Sequence, residues 1–472
     1  MPNSKTHILV FPYPAQGHIL SLLDLTHQLA LQNTFTITII ITPKNLPILN
    51  PLLTTHPNII QTLILPFPSH PKIPSAVEHV RELGNKGNYP VINALSNLQN
   101  SIIQWFKTHH NPPVVLISDF FLGWTQQLAT QLGIPRIAFY SIRAFTTIAM
   151  NRFWKNPLHF LSQEVVQFSD IYGMPSFKHE HLPSIFRRYI ESDPDSEFVK
   201  ESFISNGESW GFVINTFRAL EGPYLDQIQA ELGSSRRVFA VGPLGYNGVR
   251  GRAEVEDRSE VLRWLDLWDE EGSVLYVCFG SQKLLKKEQM EALAFGLERS
   301  GTRFVWVVKV PSMEEQIEGY GSVPDGFEDR VSGRGFVVKS WAPQEAILGH
   351  RVVGGFLSHC GWNSVLEAVV AGVVILGWPL EADMFFNARL MVEDMGMAVR
   401  VCEGGDFVPN PDELGRVISE VMSGDTPQKR RAKLMKEEAV GAVRKDGSSS
   451  KELDEFVKAL QQLGVKEGSG SH

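Results

Sequence analysis

The sequence predicts an α/β protein made of two doubly wound parallel sheets in series. Near the start of the chain, an apolar strand, a glycine-containing loop, a helix and a second strand follow one another. The same order begins again at residue 273, and a glycine- and charge-rich segment (242–260) lies between the two. The length of 472 residues also favours more than one domain.

The first unit is predicted from strands that alternate with helical patterns. The runs that predict strands are "HILVFPY" (7–13), "FTITIIITP" (35–43), "VVLISDFF" (114–121) and "PRIAFYS" (135–141). The loop "PAQGH" and the helical pattern "ILSLLDLTHQLALQ" follow the first strand, and "GWTQQLATQLG" predicts a later helix. This alternation is typical of a parallel sheet.

The second unit begins with the strand "SVLYVCFGS" (273–281) and the amphipathic helix "KKEQMEALAFGLERSG". The strands "RFVWVVK", "GFVVKSW", "GGFLSH", "GVVILGWP" and "GMAVRV" follow at α/β spacing. We therefore expect a first domain over 1–245, a linker over 246–258 and a second domain over 259–449.

Charge and cysteine content exclude several function classes. The net charge of −8 argues against a nucleic-acid partner, which requires a basic surface. Three cysteines without metal-like spacing indicate a reducing compartment. The start lacks a signal-peptide pattern, and the apolar run 368–380 is too short to span a bilayer. We expect a cytoplasmic protein without an integral membrane segment.

The stretch "HCGWNSVLEAVVAG" (359–372) places small residues and a histidine where a predicted strand runs into a helix. Ligands of parallel sheets bind at the carboxyl ends of strands, and free N–H groups at a helix start attract anions. Gly361 permits close approach of a ligand, while His359 and Ser364 add donors. Glu367 is placed to accept from hydroxyl groups. The pattern predicts a site for a diphosphate joined to a ribose.

A simpler interpretation of this stretch is that Asn363 and Ser364 only cap the helix and that His359 is a core residue. The flanking sequences "WAPQEAILGH" (341–350) and "WPLEADMFFN" (378–387) favour the binding site.

From Trp341 to Met384 the sequence closely resembles the signature box of plant family 1 UDP-sugar-dependent glycosyltransferases. The resemblance extends over nearly the whole chain, including "PAQGH" and "SDFFLGW", and "LILPFPSHPKIPSAVEHV" (63–80) resembles a subgroup that acts on flavonoids and small phenolics. It implies a GT-B fold, in which two Rossmann-like domains face each other across a cleft. It also implies that a C-terminal helix, about 450–463, packs back on the first domain.

The resemblance implies a role for each matching residue of the second domain. The indole of Trp341 stacks on uracil, and the backbone of Ala342 pairs with the edge of the base. Gln344 and Glu367 hold the ribose hydroxyls. The diphosphate contacts are Ser281, His359, Asn363 and Ser364, and the transferred sugar faces Trp362 and Asp383.

Met384 departs from the family pattern, because the box usually ends in a hydrogen-bonding residue, most often Gln. A thioether cannot donate, so a sugar hydroxyl expected there loses a partner, at a net cost of ~1 kcal/mol. We expect glucose as the donor sugar, since it is the family default. Xylose, which has no hydroxymethyl group, or the deoxysugar rhamnose comes next.

His18 and Asp119 follow two predicted strands of the first sheet, so both side chains are expected at one edge. Histidine suits removal of a hydroxyl proton, and a carboxylate orients its ring. By resemblance, His18 is the general base and Asp119 its partner. The alternative is an unrelated helix-start histidine and an N-capping aspartate.

The function implied is inverting transfer of a sugar from a UDP-sugar donor to a small aromatic acceptor, by a monomer that uses no metal and no cofactor. A sugar-nucleotide epimerase and a non-catalytic UDP-sugar sensor are the alternatives. Aromatic and apolar side chains for an acceptor pocket are Phe120, Phe121, Trp124, Phe145, Met150, Phe153 and Trp154. The same residues also suit a hydrophobic core.

Three further motifs are set aside. "DPD" (193–195) resembles a metal-binding Asp-x-Asp but has no preceding strand. "GESWG" (207–211) matches a nucleophile elbow in the wrong strand and helix context, and "HEH" (179–181) has the wrong spacing for two zinc ligands on one helix face.

Overall fold

The computed structural model describes residues 5–245, 260–280, 283–309, 311, 315, 317, 319–339 and 341–468. They divide into two compact units. Unit 1 takes its residues from Met1–Glu180, Ser184–Arg250 and Gly441–His472, and unit 2 from His181–Pro183 and Gly251–Val440. The predicted linker 246–258 and the predicted site residue Ser281 lie outside the described residues.

Unit 1 contains a seven-stranded sheet, described in the order β3-β2-β1-β4-β5-β8-β9, in which neighbouring strands run parallel. Strands β6 and β7 form a separate antiparallel pair. The strands are β1 (Thr6–Phe11), β2 (Phe35–Ile41), β3 (Ile60–Ile64), β4 (Val115–Asp119), β5 (Arg136–Tyr140), β6 (Val165–Gln167), β7 (Ser176–Lys178), β8 (Gly211–Ile214) and β9 (Arg237–Ala240). The chain moves outward from β1 in one direction and from β4 in the other, so a switch point lies between them.

Helices connect the parallel strands of unit 1. They are α1 (Gln16–Leu31), α2 (Asn50–Thr55), α3 (Asn88–Ser96), α4 (Gln99–Thr108), α5 (Thr125–Leu132), α6 (Ala144–Lys155), α7 (Pro157–Leu161), α8 (Ser184–Arg187), α9 (Pro194–Ser205) and α10 (Arg218–Leu232). Strands β4 and β5 are buried along their whole length. This explains their continuous apolar runs, because helices cover both faces of a parallel sheet.

Unit 2 contains a six-stranded parallel sheet in the order β12-β11-β10-β13-β14-β15. Its strands are β10 (Val274–Cys278), β11 (Arg303–Val307), β12 (Gly335–Val338), β13 (Val353–Ser358), β14 (Val374–Gly377) and β15 (Ala398–Arg400). Its described helices are α11 (Glu260–Leu265), α12 (Lys287–Ser300), α13 (Phe327–Val331), α14 (Gln344–Leu348), α15 (Trp362–Ala371), α16 (Met384–Arg389), α17 (Pro411–Met422) and α18 (Pro427–Val443), the last of which ends in unit 1. The switch point lies between β10 and β13. Two doubly wound parallel sheets confirm the predicted α/β class.

The last helix, α19 (Ser448–Gly468), packs on the sheet of unit 1. Phe456 and Leu460 are fully buried in the core of this unit, and the Phe456 ring lies 5.1 Å from that of Phe239 in β9. The Ser449 hydroxyl donates to the Gly242 carbonyl at 2.5 Å. No helix in the described part of the chain is both long and apolar enough to cross a membrane.

Candidate active site

His18 and Asp119 lie at the switch point of unit 1. Asp119 is the last residue of β4, and β4 pairs with β1 up to Phe11. The sheet ladder of β1 stops there because prolines follow at 12 and 14, and α1 begins at Gln16. His18 Nδ1 is 2.9 Å from Asp119 Oδ2 and 3.1 Å from Oδ1. The sheet therefore brings the two predicted residues into direct contact.

The surroundings of this pair fix its geometry. Asp119 is fully buried, and its Oδ1 also accepts from the backbone N–H of Phe121 at 2.8 Å. It therefore caps the short turn Phe120–Leu122 and binds His18 at the same time. The ring of Phe120 is stacked on that of His18 at 5.3 Å. Because the carboxylate occupies Nδ1, the ring keeps its proton there and presents the Nε2 lone pair to a ligand.

Arg136 supports the same turn, and the sequence analysis missed it. Its side chain is buried, and it donates to the Ser118 hydroxyl at 2.8 Å and to the backbone carbonyl of Asp119 at 3.3 Å. Burial lowers the pKa of Arg136 to about 10, so the guanidinium is still charged at pH 7. The sequence did contain a sign of this role, because an arginine stands at the start of the otherwise apolar strand β5.

The three motifs set aside have structural roles. Ser209 of "GESWG" is buried and accepts from Arg136 Nη1 at 2.8 Å. Asp193 of "DPD" caps α9 by accepting from the Ser196 N–H at 2.9 Å, and Asp195 pairs with Lys72. "HEH" forms one short turn. Within the described residues, no group of three or more His, Cys, Asp or Glu side chains is placed to hold a metal ion.

The second cluster of predicted residues follows β13 in unit 2. Helix α15 starts at Trp362, and Gly361 caps it without a side-chain hydrogen bond. Asn363 and Ser364 therefore lie inside the first turn and do not cap it, which argues against the simpler interpretation. Their position at the carboxyl end of β13, beside the switch point, is where parallel sheets bind ligands.

His359 is packed between two glycines. A Cβ atom at Gly280 or at Gly361 would stand 2.7 or 2.6 Å from His359 Nε2, so a side chain at either position would displace the ring; Gly280 also has a φ of +75°, which favours glycine. Burial lowers the pKa of His359 to about 4, against the opposing effect of the Cys278 carbonyl. Its buried Nδ1 has no hydrogen-bond partner among the described residues.

The predicted ribose residues lie together. Gln344 Nε2 donates to Glu367 Oε2 at 2.5 Å and to the Ser364 hydroxyl at 3.1 Å. The hydroxyl of Tyr276, which sequence analysis missed, donates to Gln344 Oε1 at 3.2 Å. The side chain of Trp341 is 70% exposed, an unusual position for an indole and one that leaves a face for a planar ligand. Ala342, the next residue, is 9% exposed.

Two of the predicted sugar residues, Asp383 and Met384, lie at the start of α16, and the third, Trp362, is the first residue of α15. Asp383 Oδ2 accepts from Asn387 Nδ2 at 3.0 Å, and Asn387 was also missed, although it lies four residues after Asp383. Met384 is 8% exposed, and its sulfur accepts from the Glu381 N–H at 3.5 Å. Trp362 is buried, with 3% exposure.

The acceptor-pocket candidates divide into two groups. Phe120 and Phe121 contact the His18 ring, at centroid distances of 5.3 and 4.6 Å. All seven candidates are buried, so burial does not distinguish these two from the other five: Trp124, Phe145, Met150, Phe153 and Trp154. Phe153, for example, stacks on Phe186 at 4.0 Å.

Comparison with known proteins finds one matching family and several relatives that align over nearly the whole chain. Residues 259–405 match the family described as "UDP-glucoronosyl and UDP-glucosyl transferase". UDP-glycosyltransferase 89A2 of Arabidopsis thaliana is 50% identical over 467 residues, covering 98% of this chain and 97% of the relative. Flavonol 3-O-glucosyltransferase UGT89B1 of Arabidopsis thaliana is 46% identical over 472 residues, with 98% of each chain covered.

Solved structures extend the similarity to the fold. The crystal structure of Arabidopsis thaliana UGT89C1 complexed with UDP-L-rhamnose has a TM-score of 0.80 and 35% identity, covering 97% of this chain and 100% of that chain. The same protein complexed with quercetin gives a TM-score of 0.79 at the same identity and coverage. The predicted GT-B class is thereby confirmed.

Proposed function

The chain belongs to the UDP-glycosyltransferase family, and on this premise we propose that it transfers a sugar from a UDP-sugar to a hydroxyl group of a flavonoid or related small phenolic. The relative named as a flavonol 3-O-glucosyltransferase and the UGT89C1 complexes with UDP-L-rhamnose and quercetin support both substrate classes. The observation that carries the proposal is the His18–Asp119 pair at the switch point of unit 1.

Unit 2 would hold the donor through three groups of residues. The exposed indole of Trp341 stacks on uracil, and the backbone of Ala342 meets the edge of the base. The Gln344–Glu367 pair binds the ribose, because a carboxylate and an amide accept from adjacent hydroxyls. The diphosphate lies at the start of α15, against His359, Asn363 and Ser364, and Ser281 is assigned to it from the sequence alone.

His18 acts as the general base. Its Nε2 takes the proton of the acceptor hydroxyl, and Asp119 stabilises the imidazolium that forms. The acceptor oxygen attacks the anomeric carbon on the face opposite UDP. The new C–O bond forms as the bond to the diphosphate oxygen breaks, and UDP leaves with the electron pair. Configuration is therefore inverted.

We assign stabilisation of the leaving UDP to the start of α15 in unit 2. Negative charge grows on the diphosphate as the bond breaks, and the N–H groups of α15, with His359 beside them, are assigned to stabilise it. Protein groups supply both the base and the charge stabilisation, so the proposal includes no metal ion.

Glucose is the sugar we place first, and xylose and rhamnose follow. Asp383 and Trp362 are assigned to the sugar, and the 46% identical relative is named for glucosyl transfer. Xylose and rhamnose remain candidates because of Met384, whose thioether accepts poorly and cannot donate to a sugar hydroxyl.

The test is UDP release with and without a flavonol such as quercetin, using glucose, xylose, rhamnose and galactose as UDP derivatives. Acceptor-dependent release with a glycoside product is expected. Sugar isomerisation without acceptor and without UDP release would indicate the epimerase, and donor binding without turnover would indicate a sensor.

The variant His18→Ala tests the residue that carries the proposal. Turnover should fall below a few per cent while UDP binding survives, because His18 is assigned to the acceptor proton and not to the nucleotide. His159→Ala, which removes an exposed histidine on α7, is the matched control and should retain turnover. Substantial turnover in His18→Ala would remove His18 from the role of base.

A further inference from the structure

Asn387 connects two loops of unit 2. It is fully buried in α16, and its backbone N–H donates to the Asp383 carbonyl one turn earlier at 3.0 Å. Its side-chain Nδ2 donates to Asp383 Oδ2 at 3.0 Å and to the Cys360 carbonyl at 3.0 Å. One amide group therefore binds both the carboxylate assigned to the sugar and the loop assigned to the diphosphate.

We propose that Asn387 is a positioning residue for sugar transfer: it holds the Asp383 carboxylate in place relative to the diphosphate loop. The inference rests on the proposed function, which assigns Asp383 to the transferred sugar. Asn387 itself is not assigned to any contact with the donor.

The hydrogen-bond pattern of the amide supports this role over simple packing. Both neighbours, a carboxylate and a carbonyl, are acceptors only, so the NH₂ group must face them. The amide oxygen Oδ1 is then buried without a hydrogen-bond partner in the described part of the chain. Burying an unpartnered polar atom is unfavourable, and an apolar side chain would avoid it. What asparagine supplies here is the pair of donated hydrogen bonds.

The loop that accepts the second hydrogen bond has an unusual backbone. Cys360 has a φ of +64°, which a residue with a Cβ rarely adopts, and it stands between His359 and Gly361. The loop has a further contact of its own, since the Cys360 N–H donates to the Ser358 hydroxyl at 3.1 Å. Loss of the Asn387 amide should therefore displace the Asp383 carboxylate more than the diphosphate loop.

The inference is tested with Asn387→Ala and the branched, uncharged Asn387→Leu, measured with the UDP-sugar that the donor panel selects. The KM for that donor should rise about tenfold, because the sugar loses its hydrogen bond to the displaced Asp383 carboxylate. Inhibition by UDP, which has no sugar, should change less than twofold. Because Asn387→Leu fills the space of the amide without adding a charge, it keeps the test valid if the alanine variant folds poorly.

Gln289→Ala is the matched control. Gln289 is also a fully buried amide in unit 2 that donates to two backbone carbonyls, those of Gly405 and Phe407. None of the residues assigned to the donor is among its hydrogen-bond partners. We expect this variant to lower the melting temperature while the donor KM stays within twofold.

A double-mutant cycle with Asp383→Ala separates the positioning role of Asn387 from the sugar-binding role assigned to Asp383. If Asn387 acts through Asp383, adding Asn387→Ala to Asp383→Ala should not raise the donor KM further. Additive effects, an unchanged donor KM in both Asn387 variants, or an equal rise in donor KM and UDP inhibition constant would overturn the inference. If Asp383→Ala alone leaves the donor KM unchanged, the assignment of Asp383 in the proposed function is wrong instead.

Discussion

His18 Nδ1 lies 2.9 Å from Asp119 Oδ2, although 101 residues separate the two in the chain. The contact exists because β1 and β4 are neighbours in the sheet and each ends at the same edge. One strand end supplies the helix-start histidine and the other supplies the buried carboxylate. The relationship leads directly to the first prediction.

Replacing Asp119 with Asn should lower kcat by about 10³-fold, because the neutral amide cannot stabilise the imidazolium. UDP inhibition should be unchanged, since the nucleotide is assigned to unit 2. Asp195→Asn, which changes a carboxylate bound to Lys72, serves as the control and should stay within twofold. A loss of less than fivefold in steady-state kinetics would remove Asp119 from the role of partner.

Trp341→Ala should weaken UDP binding by about 5- to 150-fold, the equivalent of the 1–3 kcal/mol that base–aromatic stacking contributes. The ring is 70% exposed, so the melting temperature should barely change. Competition by UDP and a thermal unfolding scan of the same sample measure both quantities. Unaltered competition by UDP would show that uracil binds elsewhere.

Met384→Gln should shift donor choice toward glucose, because the amide restores a hydrogen-bonding partner for a sugar hydroxyl. We expect the ratio of kcat/KM for UDP-glucose over UDP-xylose to rise about fivefold, which corresponds to ~1 kcal/mol. Met384→Leu keeps the volume without adding a polar group and should leave the ratio unchanged. An unchanged ratio in Met384→Gln would mean that residue 384 does not contribute to the selection of the donor sugar.

Glu221→Gln should destabilise unit 1 by about 3–5 kcal/mol, the usual effect of breaking a buried ion pair. The fully buried carboxylate accepts from Arg143 Nε at 2.9 Å, from the Ala144 N–H at 2.8 Å and from the Thr216 hydroxyl at 2.8 Å. An amide at this position leaves the guanidinium without its counter-charge. Denaturant unfolding measures the effect.

The control for this substitution is Glu231→Gln, in which the carboxylate is 32% exposed and pairs with Arg152. It should change stability by only about 0–1 kcal/mol, because solvent screens a pair at the surface. Equal effects of the two substitutions would contradict the role given to burial.

His7 should make stability depend on pH between 6.5 and 4. Burial lowers its pKa from 6.5 to about 4, against the opposing effect of the Asn111 carbonyl. The unfolded chain therefore binds a proton that the folded chain excludes, so the stabilisation is complete above pH 6.5 and is lost as pH falls to 4. When the pH falls from 7 to 5, the free energy of unfolding should decrease by roughly 2 kcal/mol less in His7→Gln than in the unsubstituted protein. Denaturant midpoints at several pH values test this, and parallel curves for the two proteins would refute it.

Local sequence patterns predicted all six strands of the sheet in unit 2 and, in unit 1, the strands β1, β2, β4 and β5 but not β3 and β9. Apolar runs such as "VLISD" and "VVILG" identify buried strands, because a parallel sheet hides both faces of each strand. The same patterns show where each strand ends, and in a parallel sheet those ends share an edge. This is why His18 and Asp119 were expected together, whereas Gln344 and Glu367 were expected in one site from the family resemblance.

Other residues of the candidate site depend on contacts that no local pattern encodes. Arg136 lies behind Asp119 only because β5 is the neighbour of β4, and Tyr276 reaches Gln344 across 68 residues. Asn387 could be placed near Asp383 from helical spacing, but its bond to Cys360 depends on how the loop after β13 meets α16.

The sequence by itself therefore determined most of the elements and the strand ends that carry the predicted polar residues, because these follow from hydrophobic periodicity and the chemistry of helix starts. The tertiary structure alone decided which polar groups support the site residues. Those partners are selected by strand order and register, which bring together side chains tens of residues apart, and a buried hydrogen bond forms only where that arrangement leaves its two atoms within about 3 Å.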